Sequence, residues 1–569
     1  MILVNPLLVG YTNPTYDPDA NKPGHREKVY LTESDLITHL HGIGATRSGK
    51  SKWLEWFCRG LAMQRIGFTL IDPQGTLAKD LVSYFAYLMP SQPIIYFNPS
   101  RTDFLVPFNP FTRGRGDKSV RVSRQIQATI RVWGAASLDD TPRLGRVMRT
   151  FYHLFSTGEI TLNELDELTL WEYKELREHA ANLLPEGTTA YNEWKSFMGY
   201  RRKEDFETQM ESTRNRLAPF IDFPQIRRIM SLEEPNLNFE EIFDTGTILI
   251  ANLGQSPYFA DENARLIGSL MIHELWQAAQ QRETSPQHPY FLLVDEFQKF
   301  LTPDIRDILD RGAGKGLHLG LFHQHLGQLE EQDKWTYDSV MTNAKTKVVF
   351  GGLSKPDART LVDEMFADQI PYDETKFLIE QTKFWPTYTR DTTYSKTRGR
   401  GMGSASGTGN IAGQAWNPIL DEWVPTEGTS DFESRSDYVT WSEGESDVPI
   451  FYPVPFKEIT SVETYNLEEQ RNRFADQLKE QYQRHYFIKR PGQQTIPAAT
   501  PYVAPFKTFP ETEEAYVLDH FIKPFGLSVA EIDEMLEGRR QRLIEKALNP
   551  SPELEEPTSW RRRSSKKPS

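Results

Sequence analysis

Cysteine is almost missing from this chain: Cys58 is the only one in 569 residues. A single thiol cannot close an internal disulfide, so a disulfide-stapled secreted fold is excluded and a reducing cytosol fits. No run reaches the ~18 continuous apolar residues of a membrane-crossing helix, and the opening Met1-Ile2-Leu3-Val4-Asn5 lacks the charged start of a signal peptide. Positive charge is also in short supply. Lys and Arg number 65 against 79 Asp and Glu, a net charge of −14, which excludes a globally basic nucleic-acid coat but leaves room for a local basic groove. No internal repeat is visible, which sets solenoids aside. Core material is ample, with 38% apolar and 12% aromatic residues, so wholesale disorder is excluded as well. The expectation is a soluble cytoplasmic protein.

Several short, almost wholly apolar runs alternate with helical patterns. Gly67-Phe68-Thr69-Leu70-Ile71-Asp72, Pro93 to Phe97, Thr247 to Leu253, Tyr290 to Val294, Leu317 to Phe322 and Lys345 to Phe350 all read as strands buried on both faces. Strands of this kind belong to a parallel sheet covered by helices, so the fold class is α/β. Between about 112 and 235 the pattern turns helical, with candidates at Val120 to Trp133, Arg143 to Phe155, Leu162 to Asn182 and Asp205 to Pro219. The reading is therefore a core, 1–111 and 236–395, interrupted by an all-α insertion, 112–235. The Gly/Ser-rich stretch Thr397 to Gly409 buries little, and 396–450 reads as a linker or loop. Residues 451–569 read as an extended arm, with a helix over Leu467 to Arg484, scattered prolines, and a basic disordered tail at Trp560 to Ser569.

Gly44-Ala45-Thr46-Arg47-Ser48-Gly49-Lys50-Ser51 satisfies G-x-x-x-x-G-K-[ST], a pattern expected about 0.02 times by chance in a chain of this length. A strand precedes it and a helix follows, as a phosphate loop requires. Its glycines let successive N–H groups point at phosphate oxygens, and the helix adds its positive end. Lys50 can reach the β- and γ-phosphates of ATP, and the Ser51 hydroxyl can ligate Mg²⁺. Phe291-Leu292-Leu293-Val294-Asp295-Glu296 delivers two carboxylates to a strand end. Asp295 suits the Mg²⁺ shell, and Glu296 the general base that takes a proton from attacking water. Gln324, at the end of the next strand, could contact both γ-phosphate and water as a sensor, or simply close a turn. Arg311 could serve as a finger reaching a neighbouring subunit's nucleotide, with Lys315 as the other cation there, or both could cap a solvated helix end.

Two H-x-H pairs, His39/His41 and His323/His325, invite a metal reading. No carboxylate or cysteine stands at ligand spacing to either pair, so packing is the simpler reading. Charge is uneven over 112–158: Arg113, Arg115, Lys118, Arg121, Arg124, Arg131, Arg143, Arg146 and Arg149 face only Asp117, Asp139 and Asp140. Such a segment could track a nucleic-acid backbone, with Arg121, Arg124 and Arg131 as its centre, or form a solvated helix face.

Taken together, the sequence resembles the HerA/FtsK superfamily of P-loop ATPases, and within it the TraG-like coupling ATPases of type IV secretion and conjugation and the HerA-like DNA translocases. The resemblance spans about 40 to 390. It rests on Gly44 to Ser51, Ile71-Asp72-Pro73-Gln74-Gly75, Phe108-Asn109-Pro110, Leu293-Val294-Asp295-Glu296-Phe297, and the glutamine of Leu321-Phe322-His323-Gln324-His325-Leu326. It implies a RecA-like core, a ring (usually a hexamer) with ATP between subunits, and DNA drawn through the central pore. A partner nuclease or relaxase is implied with it. Coupling proteins usually begin with transmembrane helices and HerA proteins with a β-barrel, neither of which is legible before Gly44. Two other functions stand beside the DNA motor: an ATP-binding scaffold gating a partner effector such as a defence nuclease, and an ATPase moving protein in a secretion system.

Overall fold

The computed structural model describes residues 5–12, 27–111, 118–132, 142–234, 237–282, 288–371, 374–396, 404–417, 419, 422–435, 443–505 and 510–549. The chain divides into two compact units, one formed by 1–369 with 473–569 and the other by 370–472.

The first unit is organised by an eleven-stranded sheet. Its strands are β1 (Leu7–Thr12), β2 (Lys28–Leu31), β3 (Leu40–Ile43), β4 (Gly67–Asp72), β5 (Ile94–Phe97), β7 (Ile248–Asn252), β8 (Tyr290–Val294), β9 (Leu317–His323), β10 (Thr346–Phe350), β15 (His485–Lys489) and β16 (Ile496–Ala499), while the two-residue β6 (Phe104–Leu105) pairs elsewhere. The order is β2-β1-β16-β15-β10-β3-β9-β8-β4-β7-β5. From β10 to β5 every neighbour is parallel, and every residue of β3, β4, β5, β7, β8, β9 and β10 is buried. This is the α/β, mostly parallel core expected from the apolar runs, since helices cover both faces and leave no polar side. Helix Lys50–Met63 follows β3 and lays Trp53, Leu54, Phe57, Cys58 and Leu61 into the core. Among the described residues between 106 and 247 there is no strand, and helices from Lys118–Val132 to Phe239–Thr245 fill that interval.

The structure departs from the sequence reading in four places. Leu162 to Asn182 is not one helix but a short 3₁₀ turn, Leu165–Thr169 and Lys174–Asn182. The break is held open by Arg177, whose guanidinium donates to the Trp171 carbonyl at 2.8 Å, satisfying a group that a continuous helix would have paired internally. The boundary at 395 falls inside a strand, β11 (Thr375–Lys396), which belongs to the second unit. There β11 pairs with β14 (Glu443–Thr464), and β12 (Ser404–Asn417) pairs with β13 (Glu422–Arg435), so the described part of the Gly/Ser-rich stretch is strand rather than linker. Backbone pairing needs no bulky side chains, and the Trp416–Trp423 pair at 5.7 Å helps fix the register. Pro386 stands directly opposite Pro453. Neither can donate, so both nitrogens face outward, and Pro449 and Pro455 lie on the same side as Pro453, which blunts the outer edge of β14.

The fourth departure is the C-terminal region, which is woven into the first unit rather than extended from it. β15 and β16 insert as antiparallel strands between β10 and β1. The alternation in His485-Tyr486-Phe487-Ile488-Lys489 buries Tyr486 and Ile488. Pro497 is tolerated because β1 pairs only with Ala498 and Ala499. The final helix, Val529–Leu548, packs on the insertion, with Arg228–Asp533 at 2.7 Å, Arg540–Glu167 at 2.6 Å and Lys546–Glu159 at 2.7 Å. The residues 550–569 and 397–403 named above lie outside the described residues. No helix of the described residues is long and apolar enough to cross a membrane.

Tyr486 tests the interwoven sheet. It is fully buried, its hydroxyl donates to the Val9 carbonyl at 2.9 Å, and its ring meets Phe350 at 5.4 Å and Trp53 at 6.2 Å. Tyr486→Ala should therefore cost about 3–5 kcal/mol, as for other large buried aromatics, and Tyr486→Phe about 1 kcal/mol. Urea unfolding of both variants measures this. A loss below 1 kcal/mol for the alanine variant would show that the C-terminal strands are peripheral.

Candidate nucleotide-binding site

The parallel sheet brings the C-terminal ends of β3, β9 and β8 side by side, and the candidate residues sit at those ends. Gly44 to Gly49 leaves β3 as a loop, and Lys50 opens the helix. The loop needs unusual backbone. Arg47 has φ 65° and Gly49 φ 110°, and at Gly49 a Cβ would lie 2.8 Å from the Arg484 backbone, so glycine is required there. Ala45 donates its N–H to the Gly351 carbonyl at 3.2 Å, and Gly44 to the His323 carbonyl at 3.3 Å. Gly352, at φ 80°, passes so close to Ala45 that a Cβ would lie 2.6 Å from that side chain. The Ser48 hydroxyl is buried and has no partner among the described residues.

Lys50 is the centre of the arrangement. Its ammonium is buried and lies 3.0 Å from Glu296 Oε1 and 3.4 Å from Asp295 Oδ1. Glu296 also accepts from Gln324 Nε2 at 2.7 Å and Gln298 Nε2 at 2.8 Å, while Gln324 Oε1 accepts from the Thr46 hydroxyl at 2.9 Å. One continuous network thus joins the loop, the carboxylates and the end of β9. Glu296 itself stands at φ 48°, a left-handed conformation uncommon for glutamate.

The two carboxyls are driven apart. Burial pushes Asp295 up to about 6, against the Lys50 charge and aided by the Glu296 and Asp72 carboxylates. Burial also raises Glu296, but Lys50 and the hydrogen bonds from Gln324, Gln298 and Lys50 outweigh it and hold this carboxyl below its ordinary value. Behind them, His41 and His323 stack with Nε2 atoms 2.7 Å apart. Burial and the Lys50 charge lower His323 to about 3, and burial with the charges of His323 and Lys347 lowers His41. Both rings are neutral at pH 7, one donating and one accepting. No group of three metal-ligating side chains occurs among the described residues.

The structure brings Thr46, Lys50, Asp295, Glu296 and Gln324 together, while Ser51 stands at the exposed start of the helix. Arg311 does not join them. It ends helix Pro303–Arg311, its side chain is 64% exposed, and it pairs with Asp307 at 2.9 Å. Lys315 is tied to the Arg282 carbonyl at 2.7 Å. The basic start of the insertion is the main correction. Arg121 is buried, and Arg124 turns to the core carboxylates Asp304, at 3.5 Å, and Asp307, at 3.7 Å. Neither faces outward as a nucleic-acid track requires. Arg146 pairs with Glu193 at 3.6 Å, Arg149 is exposed, and Arg113, Arg115, Arg131 and Arg143 lie outside the described side chains. Three contributors escaped the sequence reading: Gln298, Arg484, and the Gly351-Gly352 pair after β10. The adjacent glycines at a strand end were a usable signal, whereas Gln298 and Arg484 had none.

Residues 289–371 match the family model described as the TraM recognition site of TraD and TraG. That interval holds β8, β9, β10 and the helix Pro303–Arg311. Among solved structures, the bacterial conjugative coupling protein TrwBdeltaN70 in its unbound monoclinic form is similar at a TM-score of 0.46 and 12% identity, over 84% of this chain and 89% of that one. The plasmid coupling protein TrwB in complex with ADP and Mg²⁺ is similar at 0.46 and 12% identity, over 85% and 90%. VirB4 of Thermoanaerobacter pseudethanolicus is similar at 0.41 and 11% identity, over 63% and 87%. None of the curated proteins matches the chain.

The raised Asp295 has a consequence for stability. Its ordinary value is 3.8 and its folded value about 6, so between those pH values the native chain keeps a proton that the unfolded chain has released. Stability contributed by this group falls as pH rises through that window, and above it the full cost of the buried charge is present. Asp295→Asn removes the cost. Its gain in Tm over wild type should be several degrees larger at pH 8 than at about pH 4.5. Equal gains at both pH values would show that Asp295 is not held as described.

Proposed function

We propose that the protein is a ring-forming ATPase that hydrolyses ATP between subunits and uses the energy to move DNA. One observation carries the reading: Lys50, Glu296, Gln324 and Thr46 form a single hydrogen-bonded network across three adjacent strand ends. A phosphate loop joined in this way to a base and a sensor suits hydrolysis coupled to motion rather than static binding. The match of residues 289–371 supports a coupling role of the kind found in conjugation.

The residues fit the groups implied. The partnerless Ser48 hydroxyl offers a donor to phosphate, and Lys50 offers a charge. Ser51 and Asp295 would hold Mg²⁺, which when bound neutralises charge on the phosphate oxygens. Phosphates compete with Glu296 for Lys50. Once Lys50 turns to them, Glu296 loses its main acidifying neighbour while keeping Gln298 and Gln324, so its proton affinity rises as water is presented to it. Gln324, bonded at once to the loop and the base, reports that change to β9. Arg311, exposed at a helix end, suits a finger donated to the next subunit's γ-phosphate in a hexamer. Because Arg121 and Arg124 face the core, DNA contacts fall to other residues of the ring interior. A relaxase or nuclease as partner follows from the same coupling role.

Phosphate release by the purified chain, with and without single- and double-stranded DNA, tests the reading. Glu296→Gln should bind ATP with near wild-type affinity but turn over at least ~100-fold more slowly, and Lys50→Ala should lose both binding and turnover. Stimulation by DNA is expected for the wild type. Turnover indifferent to DNA would point instead to the scaffold or the protein pump, and wild-type turnover by Glu296→Gln would remove Glu296 as the base.

A further inference from the structure

The phosphate loop has a second neighbour, on the side away from Glu296. In the sheet order, β10 and β15 lie on one side of β3 and β9 and β8 on the other, so the chain entering β15 flanks the loop opposite the carboxylates. There the Arg484 N–H donates to the Ser48 carbonyl at 2.7 Å, and the Arg484 carbonyl accepts from Thr500 N–H at 2.9 Å. Arg484 has φ 70°, a left-handed conformation uncommon for arginine. That geometry lets its backbone press against Gly49, at 2.8 Å from where a Cβ would stand. Its guanidinium lies 5.1 Å from the ring centre of Tyr502. Tyr502 is 69% exposed, and the nearby Tyr482, set edge-on to His485, is 72% exposed.

A tyrosine so exposed contributes little to the core, yet here it is paired with a cation that is bonded through its backbone to the phosphate loop. A triphosphate whose terminal end faces Glu296 carries its sugar and base toward the opposite side, which is this one. Purine rings stack on tyrosine faces and on guanidinium planes. We propose that Arg484 and Tyr502 form the nucleobase subsite, taking the ring of a purine nucleoside triphosphate. The proposal rests on the nucleotide-site reading above and adds the element that tells a nucleotide from a bare polyphosphate. The Arg484–Ser48 hydrogen bond then links occupation of the base subsite to the shape of the phosphate loop.

Calorimetric titration of the full chain with Mg-ATP and with Mg-tripolyphosphate tests this. Tyr502→Ala should weaken ATP about five- to fifty-fold, in line with loss of one base–aromatic stack, while tripolyphosphate binding changes less than about two-fold. Tyr502→Phe, which keeps the ring, should restore ATP affinity. Unchanged ATP affinity in Tyr502→Ala would overturn the subsite, as would equal weakening of ATP and tripolyphosphate. A wild-type chain that binds neither would overturn the nucleotide site itself, a result distinct from both.

Discussion

The architecture of the site depends on one buried ammonium. Burying a lone charge costs several kcal/mol, and only close partners offset it, so Lys50 dictates what surrounds it. It holds Glu296 ionised, opposes the rise of Asp295, and adds to the burial that keeps His323 neutral behind them. Gln324 is oriented by the same demand, donating its amide to Glu296 and accepting from Thr46. A buried ion pair of this kind is poor evidence of stability, because apolar residues of similar volume often do as well. Its value is positional: it places loop, base and sensor within one hydrogen-bonded step of each other.

Two arginines at the start of the insertion, Arg121 and Arg124, turn inward. Helix Lys118–Val132 packs on helix Asp261–Gln281, and Arg124 reaches Asp304 and Asp307. Asp304 also meets the buried His273 at 3.2 Å, and burial shifts Glu274 upward against the charges of His273 and Arg121 and the hydrogen bond from Gln125, with Asp304 adding to the rise. Asp307 is shared, since it binds both Arg124 of the insertion and the exposed Arg311. The insertion and the candidate finger are therefore joined through a single carboxylate.

The C-terminal segment closes the first unit. It supplies two strands to the sheet, a backbone brace to the phosphate loop, and a final helix clamped to the insertion by ion pairs that include Arg228–Asp533, Arg540–Glu167 and Lys546–Glu159. The exposed Lys546–Glu159 pair contributes little, and the buried Ile532, Leu536 and Leu543 add apolar contact to the attachment. The strands matter more, because an inserted strand satisfies backbone groups on both of its neighbours.

The amino-acid sequence by itself determined the parallel core and the chemistry at its edge. Strands buried on both faces must be apolar throughout, and a phosphate loop must place glycine and lysine at set spacings, so both are local demands visible in one stretch of chain. The carboxylates Asp295 and Glu296 were legible for the same reason, at the end of an apolar strand. Only the tertiary structure decided the partners. Whether Arg124 faces solvent or core depends on Asp304, 180 residues further along the chain, whose approach no local pattern announces. β15 and β16 read as an arm because strands of five and four residues, flanked or interrupted by Pro491 and Pro497, declare themselves only when neighbours supply their hydrogen bonds. Likewise, the Gly/Ser-rich β12 became strand through the register of β13. Local periodicity reports what each segment must bury, while pairing across the sheet and across buried charges is fixed by where the fold brings distant segments together.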